Sequence, residues 1–349
     1  MGWPSESKLR NRGRWRHFLL LVIPVIGAAL GASAAAQTCQ TAADIDPPTR
    51  TALESAAQRY FQMAAQGDSA SLKQNSIGAV AANFTGIEAA VKENQPAFGG
   101  AKATIRPPFL LVAEGADPLP RAEFLCGVFG KLGQTKDSAE FVLSNLPPGK
   151  YGVAILDIKS NDVKSTPAMT LTLILQQIGS DWKLAGFFPR SSEAAGHDAA
   201  WFTDRAREFK AKSQTHNAWL YYREAVFLSA PVDIMSTQST DRLYEEIEKI
   251  QPADMPANGN LTDLTIAGKT YHLTAFFLLA VGNDLEVVVK YQSPDISDTA
   301  HTFQENTAVI KTLVAKYPEF REAFSGVVAR AVDPSGRDYG TLLAMKDIK

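Results

Sequence analysis

Apolar positions in the first third of the chain recur with helical spacing. Leu53, Ala56, Ala57, Tyr60, Phe61 and Ala64 fall at i, i+3 and i+4 intervals, the repeat of an amphipathic helix. Gly67-Asp68-Ser69 stops that helix, and Ser69 or Ser71 is placed to cap a second, shorter one. Residues 84–91 read as a third, with Thr85 as its cap and Glu88 as the capping-box partner. The period then drops to two. Strand-like runs cover 103–112, 122–129, 140–143, 151–158, 169–178 and 182–188, parted by turn clusters such as Pro147-Pro148-Gly149 and Gly179-Ser180-Asp181. The last two runs, joined across Gly179-Ser180-Asp181, predict an antiparallel hairpin. Helices first and antiparallel strands after them point to an α+β layer over residues 37–190, not to a doubly wound sheet.

The pattern changes again after the polar stretch 191–198. Helical periods over 199–213, 216–228 and 241–250 make a connector spanning 191–254. Phe202, Ala206, Phe209, Ala218, Tyr222 and Ala225 are spaced like one tetratricopeptide repeat, but such repeats need several copies to bury a core and one copy is present. Residues 255–349 then read as a second, small α+β domain. Its strands are 264–266, 271–281 and 285–291, its helix 302–315, and its closing hairpin 327–332 with 339–344.

The opening helix, residues 52–68 ending in Gly67-Asp68, resembles the first helix of the nuclear-transport-factor-2-like, or SnoaL-like, cone fold. The short second helix and the hairpin of 171–178 with 182–187 are similar to that family's later elements. The resemblance covers about residues 50–190 and implies a cone-like curved antiparallel sheet wrapped on N-terminal helices. It also implies that an acid inside the cone can move a proton in those members that are isomerases or cyclases. Asp157 is the nearest candidate, on the strand face shared by Tyr151, Val153 and Ile155, though it stands at a polar strand end beside Lys159. The turn at Leu146-Pro147-Pro148-Gly149-Lys150-Tyr151 is similar instead to turns of transthyretin-like sandwiches, a reading that leaves the leading helices unexplained.

Charge and composition narrow the picture further. Lys8, Arg10, Arg12, Arg14 and Arg16 precede the apolar run 18–26, and small residues 31–36 follow it. Positive, apolar, then Ala-x-Ala is the pattern of an export signal cut after Ala36. An uncleaved anchor is the alternative, and membrane attachment is expected only in that case. Loss of the leader takes five of 35 basic and one of 37 acidic residues, leaving a net charge of −6. A mildly acidic chain with scattered charge is not built to hold nucleic acid.

Two cysteines exist, Cys39 and Cys126. In an oxidising compartment they are expected to pair; in its absence Cys126 is a buried thiol and Cys39 a mobile one. Phosphate-loop, zinc-protease and nucleophile-elbow motifs are missing, and the histidines lack metal-ligand spacing, so neither cofactor nor metal is expected. Tyr60, Phe61, Phe124, Val153, Ile155, Leu173, Leu175 and Trp182 either line a cavity in the cone or fill it as core. Trp201, Trp219, Tyr221 and Tyr222 on the connector either anchor a protein partner or glue the domains. The resulting expectation is an exported, non-enzymatic protein that binds an apolar small molecule, a peptide or a protein, with a homo-oligomer open. Proton-transfer catalysis and a purely structural role for the connector are the alternatives.

Overall fold

A computed structural model of the protein describes residues 37–127, 138–159, 167–257 and 259–349. The leader and its cut after Ala36 lie outside the described residues. Two compact units emerge, one of residues 37–251 with 279–285, the other of 252–278 with 286–349. The helical connector therefore belongs to the first unit.

The first unit opens with β1 (Gln37–Gln40), which pairs antiparallel with β3 further on. The polar lead of the sequence is thus a sheet edge. Helix α1 (Pro47–Ala65) starts where Asp46 accepts the Thr49 N–H at 3.0 Å and Pro47 sets the first turn. Asp68, not Ser69 or Ser71, caps α2 (Ser69–Gln74), accepting from the Ser71 N–H at 2.9 Å. A short α3 (Gly78–Ala82) and α4 (Thr85–Phe98) follow; Thr85 is the first helical residue and Phe84 the cap, so no capping box forms there.

The strands are β2 (Lys102–Ile105), β3 (Phe109–Ala113), β4 (Leu119–Cys126), β5 (Ala139–Leu146), β6 (Gly149–Lys159), β7 (Met169–Ile178) and β8 (Asp181–Ser191). The run 103–112 splits at Arg106-Pro107-Pro108, where two missing N–H groups interrupt the ladder. The main sheet runs β1-β3-β6-β7-β8, with β2 pairing further along β6, and a register shift at Ile174/Leu175 disrupts the β7–β8 hairpin. Alternation along β6 divides two cores. Ala154, Leu156 and Ile158 face α1 together with Leu171, Leu173, Leu175, Trp182 and Leu184. Tyr151 and Val153 face Phe124, Cys126 and Phe141 of the β4–β5 pair. Helix α1 lies so close that a Cβ at Gly152 would stand 2.2 Å from a methyl of Leu53.

A β9 (Glu193–Ala194) and β10 (His197–Asp198) ribbon leads into α5 (Ala199–Ala211) and α6 (Thr215–Ser229). Next come β11 (Met235–Thr237), which adds to β5, and α7 (Gln238–Lys249). Cys39 and Cys126 form a disulfide joining β1 to β4, with 5.0 Å between their Cα atoms and a sequence separation of 87.

The second unit is a five-stranded sheet in the order β12 (Thr262–Ile266), β13 (Lys269–Val281), β14 (Asp284–Gln292), β15 (Gly326–Val332), β16 (Asp338–Ala344). The β14–β15 pair is parallel, and α8 (Thr299–Lys316) with α9 (Phe320–Ala323) supplies the crossover. Strand β14 buries five consecutive residues from Leu285 to Val289, as a central strand does. Val309, Ile310, Leu313 and Val314 of α8 form the core together with Val287, Val289, Val327 and Ala329. The architecture is α+β in both units.

Candidate functional site

The ligand-lining expectation for the first unit resolves into packing. Tyr60, Phe61, Leu173, Leu175 and Trp182 share the core between α1 and the sheet, whereas Phe124 and Val153 belong to the core on the opposite face. Ile155 is buried as well. A sheet lies between the two sets, so the eight residues do not surround one cavity. The Tyr60 hydroxyl is already spent, donating to the carbonyls of Asn75 at 2.8 Å and Trp182 at 2.9 Å. Asp157 is half-exposed and gripped by Arg106, whose Nη2 lies 2.6 Å from Oδ1 and whose Nε lies 3.0 Å from Oδ2. A carboxylate whose two oxygens are engaged by a guanidinium at a sheet rim is a structural ion pair, not a desolvated base.

The aromatic residues of the connector are packed in a similar way. Trp219, Tyr221 and Tyr222 are buried, with Phe202 and Phe209 packed on Tyr221 at 5.4 and 5.0 Å between ring centroids. Only Trp201 is exposed, and His197 stacks on it at 3.7 Å. The groove between α5 and α7 is roomy at about 860 Å³, yet its charges close on one another, Arg207 with Asp204 and Lys210 with Glu246.

The second unit contains a different arrangement. A cleft of about 670 Å³ is lined by the first half of β13, the last residues of β14, Glu305 of α8 and the turn after β15. Burial along β13 changes phase between Leu273 and Phe276, which marks a local irregularity where the strand bends. Consecutive residues of both β13 and the end of β14 line the cleft. Volumes of this size are typical of small-molecule sites.

Glu305 stands at the floor, its side chain 10% exposed. Its Oε1 takes the Lys269 ammonium, lies 3.3 Å from the Tyr271 hydroxyl and 3.4 Å from His301 Nε2. Beside it the Tyr271 and Tyr291 rings meet edge to face at 5.4 Å. Burial, with the Glu305 charge second, raises the pKa of both phenols, and the hydrogen bond to Glu305 raises that of Lys269. Both tyrosines thus stay protonated donors. Tyr271 has its acceptor. The buried Tyr291 hydroxyl meets no hydrogen-bonding group among the described residues. Such an orphan costs about 1–3 kcal/mol, and natural proteins break this rule mostly at functional sites.

The other charges of the cleft are settled. Asp333 is held down to about 2 by Ser335 and by Arg337, whose Nη2 lies 2.6 Å away. His272 Nδ1 contacts Asp263 at 2.7 Å. Lys290 is the exception: among the described residues no carboxylate pairs with it, and its ammonium sits 5.6 Å from the Phe277 centroid. No cluster of three or more metal-ligating side chains occurs among the described residues, and no helix there is long and apolar enough to cross a membrane.

Sequence reasoning passed over this cleft. Tyr271 and Tyr291 fit the alternation of buried strand positions, and Glu305 looked like one more polar residue on a helix. Lys269 and Glu305 are 36 residues apart, so no short motif joins them. A signal did exist: an acidic residue on the same helical stripe as Thr302, Asn306 and Val309, all of them buried. No family model, curated protein or solved structure matches the chain.

Proposed function

We propose that this is an exported, non-enzymatic binding protein whose ligand sits in the cleft of the second unit. The Tyr291 hydroxyl carries the reading: a protonated donor, buried beside Glu305 and left without an acceptor, lowers stability and is kept for something else. In this reading residues 1–36 are a leader cut after Ala36, and the protein acts in a periplasmic or extracellular space. The Cys39–Cys126 disulfide supports that, since such bonds persist in oxidising compartments. The first unit is proposed as a nuclear-transport-factor-2-like scaffold. Its order of a long helix, short helices and a closing β7–β8 hairpin supports the kinship.

Proton-transfer catalysis has one observation in its favour, a buried acid next to a tyrosine donor. It ranks second because Lys269, Tyr271 and His301 already crowd one oxygen of Glu305.

The test is native mass spectrometry of protein recovered from the exported fraction of its own source, as wild type and as Tyr291→Phe. The wild type is expected to begin at Gln37, to show no free thiol and to carry a small-molecule adduct that the variant loses. Wild type without an adduct, or an adduct held equally by the variant, overturns the cleft as ligand site. Protein retaining Met1 overturns the export reading.

A further inference from the structure

Resting on the cleft being the ligand site, we infer that its ligand is an uncharged saccharide. One of its hydroxyls bridges the Lys269–Glu305 ion pair, donating to Oε2 of Glu305 and accepting from the Lys269 ammonium.

The open position is on Glu305. The Lys269 ammonium, the Tyr271 hydroxyl and His301 all meet Oε1, and among the described residues nothing donates to Oε2. This side chain is nearly closed off, yet it lines the cleft. A carboxylate oxygen so enclosed calls for a donor. Lys269 is half-exposed and carries three ammonium protons, one of which goes to Glu305, so it has a hydrogen bond left to give. The Tyr291 hydroxyl, in the same lining, is a donor without an acceptor.

Charge selects the ligand class. Lys269 and Glu305 cancel, and Asp333 is cancelled by Arg337 at 2.6 Å. Alternation along β14 turns Lys290 to the sheet face away from Tyr291, where its ammonium lies 5.6 Å from the Phe277 ring centroid. His272, next to Tyr271 on β13, is likewise turned away and meets Asp263 at 2.7 Å. The side of the cleft that holds Glu305 is therefore neutral. A ligand ammonium at Oε2 would stand against the Lys269 ammonium on the same carboxylate. A ligand carboxylate at Lys269 would stand against Glu305. Either like-charge contact weakens binding. Among uncharged groups a hydroxyl meets both needs of the pair, because one oxygen donates and accepts. A secondary amide directs its N–H and C=O apart and meets only one of them. Several hydroxyls on one ring also offer Tyr291 an acceptor, and Thr270, Thr274 and Gln292 line the cleft with further neutral partners.

Ligand-detected NMR titration of the purified protein tests this. The probes are glucose, galactose and mannose, each beside its uronic acid and its amino sugar, with N-acetylalanine methylamide as an isolated peptide unit. At least one neutral hexose is expected to bind, about tenfold more tightly than its own charged counterparts, with the peptide unit silent. Two substitutions should invert the preference. Glu305→Gln leaves Lys269 unmatched, so the uronic acid overtakes the hexose. Lys269→Met, which keeps the apolar stem, leaves Glu305 unmatched, so the amino sugar overtakes it. A merely structural ion pair would lower all three alike. Circular-dichroism melts verify that each variant folds, and half-exposed Lys269 supplies the inversion if the Glu305 variant does not. A uronic acid, an amino sugar or the peptide unit binding the wild type as tightly as the hexose, and altered by either substitution, overturns the neutral saccharide while the cleft stands. Hexose binding that neither substitution changes lies elsewhere and overturns the cleft reading as well. Silence from every hexose overturns the saccharide, whatever adduct the native protein carries.

Discussion

Two tyrosines, each buried where a helix covers a sheet, set the units apart. Tyr60 in the first unit donates to two backbone carbonyls, one at the end of α2 and one in β8. Tyr291 in the second has the same chemistry and burial and no acceptor. Buried polar atoms without a hydrogen-bond partner occur in both units, Trp219 Nε1 in the first among them. Tyr291 differs in lining a cleft. Residue type and burial alone do not separate core from site; an unmet donor at an open cleft is the stronger sign.

Four measurements break or sharpen that contrast. Replacing both Cys39 and Cys126 with Ala tests how far the first unit depends on being tied. The long closed loop predicts a loss of about 4–5 kcal/mol in denaturant unfolding, and reduction of the wild type should reproduce most of it. Next is Glu224 of α6, buried in the first unit, whose pKa burial pushes up to about 7 against the opposing pull of Arg223. Its folded value lies above the unfolded 4.5, so the native state holds the proton longer. The stability it contributes is full below pH 4.5 and falls as pH rises to 7. A drop of about 3 kcal/mol across that window is expected, and Glu224→Gln should flatten it.

The matched pair is smaller but speaks directly to the contrast. Tyr60→Phe should cost about 1–2 kcal/mol by removing a doubly used donor. Tyr291→Phe should instead gain about 1 kcal/mol in ligand-free protein by removing an orphan. Equal losses at both positions would erase the distinction between scaffold and site.

Much of the fold could be read from periodicity. The α1 stripe and the β7–β8 hairpin matched the structure because each repeats over several turns or pairs, which averages out local exceptions. The cysteine pairing, expected from there being two cysteines and an oxidising compartment being supposed, is present. What escaped was of two kinds. Local chemistry moved the caps, with Asp68 and Phe84 taking the places expected of Ser69 and Thr85, because several polar residues compete within one turn. The two faces of β6 were merged, because alternation says which residues share a side but not what covers it. That put Phe124 with Tyr60, although β4–β5 lies on the other surface. The cleft was invisible for a further reason. Its defining property is a missing bond, and no spacing of residue types encodes one.

All the side chains of the cleft come from one stretch of chain, Lys269 to Pro334, and most flank a single strand–helix–strand crossover. Tyr291 ends its first strand, Glu305 rides on its helix and Val332 ends its second. The pocket is therefore inherited or lost as a block. Mild heat or denaturant should silence recognition abruptly, at the melting of that one segment, with no graded decline beforehand.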